Sequence, residues 1–123
     1  MTKEGYTSNE RIKEESDFLR GNISDLLHDG SITHFPSEEE FLLKFHGITQ
    51  QDNRDERLIR KKNGQERNWL FMLRLRLPGG RMTPSQWLAA ETLSDQFGNG
   101  TLKLTTRQAI QIHGVVKQDL KQT

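Results

Sequence analysis

The chain has 123 residues, of which 32% are hydrophobic, and its mean hydropathy is −0.82. The absence of cysteine excludes disulfides and thiolate-held metal within the chain, and 18 Lys plus Arg against 17 Asp plus Glu leave a net charge of +1, which argues against a general polyanion binder. No apolar run approaches a membrane span and the N-terminal MTKEGYTSNERIKEES lacks a signal-peptide core, so the expectation is a soluble, cytoplasmic protein with one compact part and one poorly covered part.

In chain order, Thr7 and Glu10 have capping-box spacing, and ERIKEESDFLR predicts a helix with a thin apolar stripe of Ile12, Phe18 and Leu19 that stops at Gly21. Asn22 is placed to cap a second short helix, ISDLLHD, ending near Gly30. Helices this short and polar are marginal alone, so residues 1–36 read as an arm that must dock onto something or stay partly mobile. Residues 37–123 read as the domain proper. Ser37 and Glu40 repeat the capping-box pattern ahead of SEEEFLL, which leads into an extended KFHGI. The following TQQDNRDERLIRKKNGQERN has almost no apolar content and reads first as a solvated loop, with polar residues that also suit contact with a charged ligand or a partner domain.

The compact part begins at Trp69. In WLFMLRLRLP, Phe71, Leu73, Leu75 and Leu77 alternate with Met72, Arg74 and Arg76, the two-residue period of a strand with one buried face. Pro78, Gly79 and Gly80 end it. Thr83, Pro84 and Gln86 combine a cap, a first-turn proline and a capping-box glutamine, and Trp87, Ala90, Leu93 and Phe97 form the inward stripe of the helix they start. TLKLTTRQAIQIHG then reads as two strands, or one strand bent near Thr106 to Gln108. Strand, helix, strand, strand predicts an α+β fold of the ferredoxin-like kind, an antiparallel sheet with a helix on one face. The closing helix of such a unit is missing, so the chain reads as truncated relative to its natural domain.

If the halves of TLKLTTRQAIQIHG keep register, Lys103, Thr105, Arg107, Gln111 and His113 share one face, with Leu102, Leu104, Ile110 and Ile112 on the other. The polar face suits an anion held by charge-assisted hydrogen bonds, and it equally suits a wetted sheet surface. Arg74 and Arg76 can join it from the neighbouring strand. Arginines on adjacent strands repel unless an anion or solvent lies between them. The histidines at 28, 34, 46 and 113 lack metal-ligand spacing, and no Walker loop, dinucleotide fingerprint or nucleophile with an adjacent base is present, so no metal site is expected.

Four segments in order, ERIKEESDFLRG, KFHGITQQDNRDER, LRLRLPGGRM and GTLKLTTRQAIQIHGVVKQ, resemble the N-terminal portion of the assimilatory sulfite reductase hemoprotein family. Siroheme nitrite reductases share LRLRLPGG and LTTRQ and give the alternative, whereas the FHG and QQDNRDER stretch and the arm look more like sulfite reductase. The resemblance implies a ferredoxin-like half-domain of an enzyme that reduces sulfite to sulfide with siroheme and a 4Fe-4S cluster. By the same resemblance Arg74 contacts the substrate anion, and Lys103, Thr105, Thr106, Arg107, Gln111 and His113 line the siroheme pocket, with Arg107 meeting its carboxylates. Lys103 stands where the family commonly has arginine and keeps the charge without the bidentate fork.

The family's cluster-ligating cysteines and its remaining substrate-binding arginine and lysines have no counterpart in these residues. The chain alone is therefore expected to be inactive and to carry neither cofactor. The implied partners are the remainder of the hemoprotein subunit and a flavoprotein reductase subunit or a ferredoxin as electron donor. Self-association through an uncovered apolar face is a further expectation. A nucleic-acid-binding module on a ferredoxin-like sheet is the alternative from a different class. It would stack bases on exposed strand aromatics, and these strands expose none, so no nucleic-acid partner is expected.

Overall fold

A computed structural model describes residues 5–123; the first four residues of the expected arm lie outside the described residues. Helix α1 (Ser8–Glu15) opens on the capping box, in which the Thr7 hydroxyl accepts from Glu10 N–H and the Glu10 carboxylate accepts from Thr7 N–H. The helix ends well before Gly21. Ser16 Oγ donates to the Lys13 carbonyl (2.6 Å) and accepts from Leu19 N–H (3.0 Å), and Asp17, Phe18 and Leu19 take φ of 52, 58 and 67°. A serine competing for backbone groups thus turns the chain where the periodicity alone extends a helix. Phe18 leaves the expected stripe and is 89% exposed.

Helix α2 (Ile23–His28) forms without a side-chain bond from Asn22. Helix α3 (Ser37–Leu43) is capped by Pro36, with Ser37 as its first helical residue, so the expected Ser37–Glu40 box does not form. The KFHGI segment is a tight 3₁₀ turn, Lys44–His46, followed by a left-handed Gly47.

The loop expected after it is two elements. Strand β1 (Ile48–Asp52) adds an edge to the sheet and helix α4 (Arg54–Lys62) follows, its cap supplied by the Asn53 side chain accepting from Asp55 N–H. Two facts hid them. Gln50 is a buried strand residue, its Oε1 accepting from Phe35 N–H (2.7 Å) and its Nε2 donating to Phe35 C=O (3.2 Å). Helix α4 has little apolar content and leaves Leu58 and Ile59 exposed.

Strand β2 (Trp69–Leu75), helix α5 (Pro84–Phe97), strand β3 (Leu102–Leu104) and strand β4 (Ile110–Val115) follow the expected order. The antiparallel sheet has the order β1-β2-β4-β3. This is the α+β, ferredoxin-like half-domain architecture with one strand more than expected. Helix α5 packs on β4 and β3 and carries the Thr83–Gln86 capping box with Pro84 in its first turn. Ala90 and Ser94 are its buried residues, while Trp87, expected inward, is 40% exposed. Ser94 reaches inward because its Oγ donates to Thr101 C=O (2.7 Å), which holds the turn into β3. Gly98 ends the helix where a Cβ would stand 2.8 Å from the His113 carbonyl, so only glycine lets this turn close on β4.

Phe35, Leu43, Phe71, Ile112 and Val115 form the core, with Ile23, Leu26 and Leu27 of α2 packed against it. Each such buried side chain contributes about 1.5–3 kcal/mol. The arm segment is fixed further by Lys117, 1% exposed, whose Nζ donates to Asp29 C=O (2.7 Å) and lies 5.7 Å from the Phe35 ring centroid. Burial pushes the Lys117 amine down and the charge of Asp29 opposes that.

Candidate functional site

The site is built on the sheet face opposite the core. Arg74 of β2 pairs with Gln111 of β4, and Gln111 pairs with Lys103 of β3. Direct cross-strand partners project from the same face, so the three side chains stand in a row. Between Leu73↔Ile112 and Phe71↔Val115, β4 spends one residue more than β2, a bulge at His113–Gly114.

Arg74 and Arg107 meet in a cleft of about 680 Å³ that is also lined by Lys44, His46, Arg76 and Gln108. No aspartate or glutamate lines it, and among the described residues none of Lys44, Arg74, Arg76 and Arg107 has an ion-pair partner. Four cations gathered without a carboxylate raise the local potential and favour an anion. His46 closes one wall, its Nε2–H donating to Leu19 C=O (2.9 Å).

Lys103 and His113 line a second cleft, of about 450 Å³, with Gln51, Asp52, Arg54 and Arg57. Its one carboxylate is already engaged. Arg57 holds Asp52 through Nε (2.7 Å) and a second bond from Nη2, which keeps the Asp52 carboxyl below the usual carboxylate range and the guanidinium above its own. His113 donates from Nε2 to Gln111 Oε1 (3.0 Å), and its pKa is lowered by burial first and by the charge of Lys103 second.

The structure therefore divides the sequence-predicted set. Arg74 and Arg107 share the first cleft, Lys103 and His113 the second, and Gln111 stands in the row between Arg74 and Lys103. Thr105 serves the β3–β4 turn, its N–H donating to Ala109 C=O (2.9 Å) and its hydroxyl accepting from Ala109 N–H (3.1 Å). Thr106 and Arg107 sit exposed in that turn, ahead of Gln108 at φ 60°. Arg107 thus reaches the cleft from a loop, not from a strand face, because the chain reverses there. Leu104, expected inward, is 73% exposed on the short edge strand β3. Sequence reasoning missed Lys44, His46, Arg54 and Arg57, whose segment has no periodicity to mark them; only the density of basic residues beside Gly47 and Asn53 signals them.

The residues fit carboxylates of a large anionic cofactor or a small oxyanion, since the first cleft offers guanidinium groups with no competing acid. They do not fit an iron-sulfur cluster, which needs thiolates that a cysteine-free chain lacks. Among the described residues no group of His, Asp or Glu is arranged to hold a metal ion, and no helix is long and apolar enough to cross a membrane.

Residues 63–123 match the family model described as the nitrite/sulfite reductase ferredoxin-like half domain. The chain is 59% identical over 119 residues to the sulfite reductase (NADPH) subunit beta of Saccharomyces cerevisiae, an alignment covering 94% of this chain and 8% of that protein. It is 48% identical over 114 residues to the sulfite reductase (NADPH) hemoprotein beta-component of Bacillus subtilis and 49% identical to that of Anoxybacillus flavithermus, covering 93% of this chain and 20% of each relative. The chain thus spans a fifth or less of the length of these relatives. Through residues 63–123 the chain belongs to the nitrite/sulfite reductase ferredoxin-like half-domain family.

Proposed function

We propose that this chain is the N-terminal, substrate- and siroheme-contacting part of a sulfite reductase that reduces sulfite to sulfide. The observation that carries the reading is the carboxylate-free cleft in which Arg74, Arg76, Arg107 and Lys44 converge. In this reading Arg107 meets the siroheme carboxylates, and Arg74 holds the substrate anion and the negative charge that accumulates on it. Lys103, Gln111 and His113 extend the cofactor surface across the sheet. Thr105 and Thr106 shape the turn that presents Arg107. Bound siroheme supplies the electron transfer to sulfur, while these residues orient and electrostatically bias the anions around it.

The cluster ligands come from outside this chain. Residues 1–36 act as an arm on the half-domain of residues 37–123, in a cytoplasmic subunit whose remainder completes the site. The NADPH in the relatives' names supports an NADPH-dependent flavoprotein as electron donor over a ferredoxin. Exposed Leu58, Ile59, Leu88 and Leu104 support self-association of the chain when it is taken alone. The test is siroheme content in the full-length subunit. Arg107→Ala is expected to lower the siroheme absorbance per polypeptide, with the far-ultraviolet circular dichroism unchanged, and unchanged siroheme occupancy would contradict the assignment of Arg107.

A further inference from the structure

The reversal between β3 and β4 breaks a local rule. It spans Thr106, Arg107 and Gln108, and is closed by Gln108 N–H donating to Thr105 C=O (3.1 Å) and Thr105 N–H donating to Ala109 C=O (2.9 Å). A hairpin loop of this length puts its last residue in the left-handed region, a place that glycine fills without strain. Here that residue is Gln108, at φ 60°. Its Cβ crowds the following carbonyl, and it lacks the short polar side chain with which asparagine or aspartate bonds its own backbone in that conformation.

The glutamine side chain has a specific neighbour. Gly80 ends the tight turn Pro78–Gly80 that follows β2, and a Cβ on Gly80 would stand 3.0 Å from Gln108 Cβ, 3.1 Å from its Oε1 and 3.3 Å from its Cδ. Gln108 therefore lies along Gly80 from its first carbon to its amide, and the space a side chain at 80 would take is the space Gln108 uses. Two turns far apart in the chain meet at this one contact. They also flank the cleft of Arg74, which Leu77, Arg107 and Gln108 all line. Arg107 itself is exposed and has no ion-pair partner among the described residues, so its direction is set by the backbone of the reversal. A strained residue persists where its surroundings over-determine it, and this one adjoins the arginine that the cleft draws from a loop.

We propose that Gln108 is a positioning residue for Arg107: packed on Gly80, it locks the β3–β4 reversal against the Pro78–Gly80 turn and holds Arg107 in the cleft it shares with Arg74. The proposal rests on the reading of Arg107 as the partner of the siroheme carboxylates and adds what supports that arginine. A glycine at 108 would ease the loop and impair the site.

The test places Gln108→Gly in the full-length subunit, with Arg107→Ala as reference, and reads siroheme absorbance per polypeptide at limiting siroheme. The same Gln108→Gly substitution in the 123-residue chain is read by its urea midpoint and by backbone ¹⁵N heteronuclear Overhauser effects. Relief of left-handed strain offsets the freedom glycine adds to the unfolded chain, so the midpoint is expected to stay at or above that of the parent. Siroheme per polypeptide is nonetheless expected to fall about two- to tenfold, the scale of losing one pre-ordered side chain, and the Overhauser effects at Thr106 and Arg107 to fall with it. Gly80→Ala is expected to lower siroheme in the parent and to add little on top of Gln108→Gly, since its own left-handed strain is common to both backgrounds and cancels in the comparison. Siroheme lost with Arg107→Ala but retained with Gln108→Gly would overturn the positioning role and leave the reading of Arg107 standing. Siroheme retained with Arg107→Ala would overturn that reading and the positioning role with it. A midpoint that falls together with siroheme would make Gln108 a purely structural residue, and unchanged Overhauser effects would show that it does not hold the turn; either overturns the proposal.

Discussion

The Arg74 backbone N–H donates to the Gly47 carbonyl across 2.7 Å, so the left-handed turn before β1 sits directly against the strand that carries the cleft's central arginine. Gly47 has φ 79°, and a Cβ there would stand 3.0 Å from the Arg74 carbonyl oxygen. Gly47→Ala combines left-handed strain with a tight contact and is expected to cost about 1–3 kcal/mol. Urea denaturation of the variant measures it. A midpoint equal to that of the parent chain would show that the turn tolerates a side chain.

Gln50 acts as a strand partner for a residue outside the sheet, satisfying both the N–H and the C=O of Phe35. Gln50→Leu fills similar space but leaves both backbone groups buried without partners. The expected loss is about 2–6 kcal/mol, from about 1–3 kcal/mol for each of the two orphaned groups. Denaturant melts of Gln50→Leu and Gln50→Glu check this, and Gln50→Glu should be only partly defective because it keeps an acceptor for Phe35 N–H.

His113 provides the pH dependence. Its pKa lies below the ordinary 6.5 because burial and Lys103 both disfavour the imidazolium. The unfolded chain therefore binds the proton more tightly. The contribution of His113 to stability is complete above 6.5 and is lost as the pH falls from 6.5 toward the lowered value. A titration of the imidazole resonances should give a midpoint below 6.5, and Lys103→Ala should move it part of the way back up. A midpoint at or above 6.5 would contradict the burial of this ring.

These residues also show what the amino-acid order carries and what it does not. Phe71, Leu73, Arg74 and the Thr83–Gln86 capping box are legible because strand period and cap chemistry are local properties. The β1 strand is not, because its buried residue is a glutamine whose value lies in bonding Phe35, 15 positions away in the chain. The early end of α1 depends on Ser16 choosing backbone partners that the periodicity does not register. In the site, the row of Arg74, Gln111 and Lys103 follows from the strand pattern, but the meeting of Arg74 with Arg107 from the β3–β4 turn does not, and neither does the split of Lys103 and His113 into a second cleft. That split is set by the β3–β4 reversal and by α4, which carries Arg54 and Arg57 into a region that composition marks only as solvated.

Sulfite reduction by the full-length subunit carrying Arg74→Ala tests the central claim most directly. With siroheme absorbance retained, kcat/KM for sulfite is expected to fall by about 10²-fold or more, the scale for removing one preorganised charge contact from a developing anion. Unchanged turnover with full siroheme occupancy would contradict the assignment of the Arg74 cleft to the substrate.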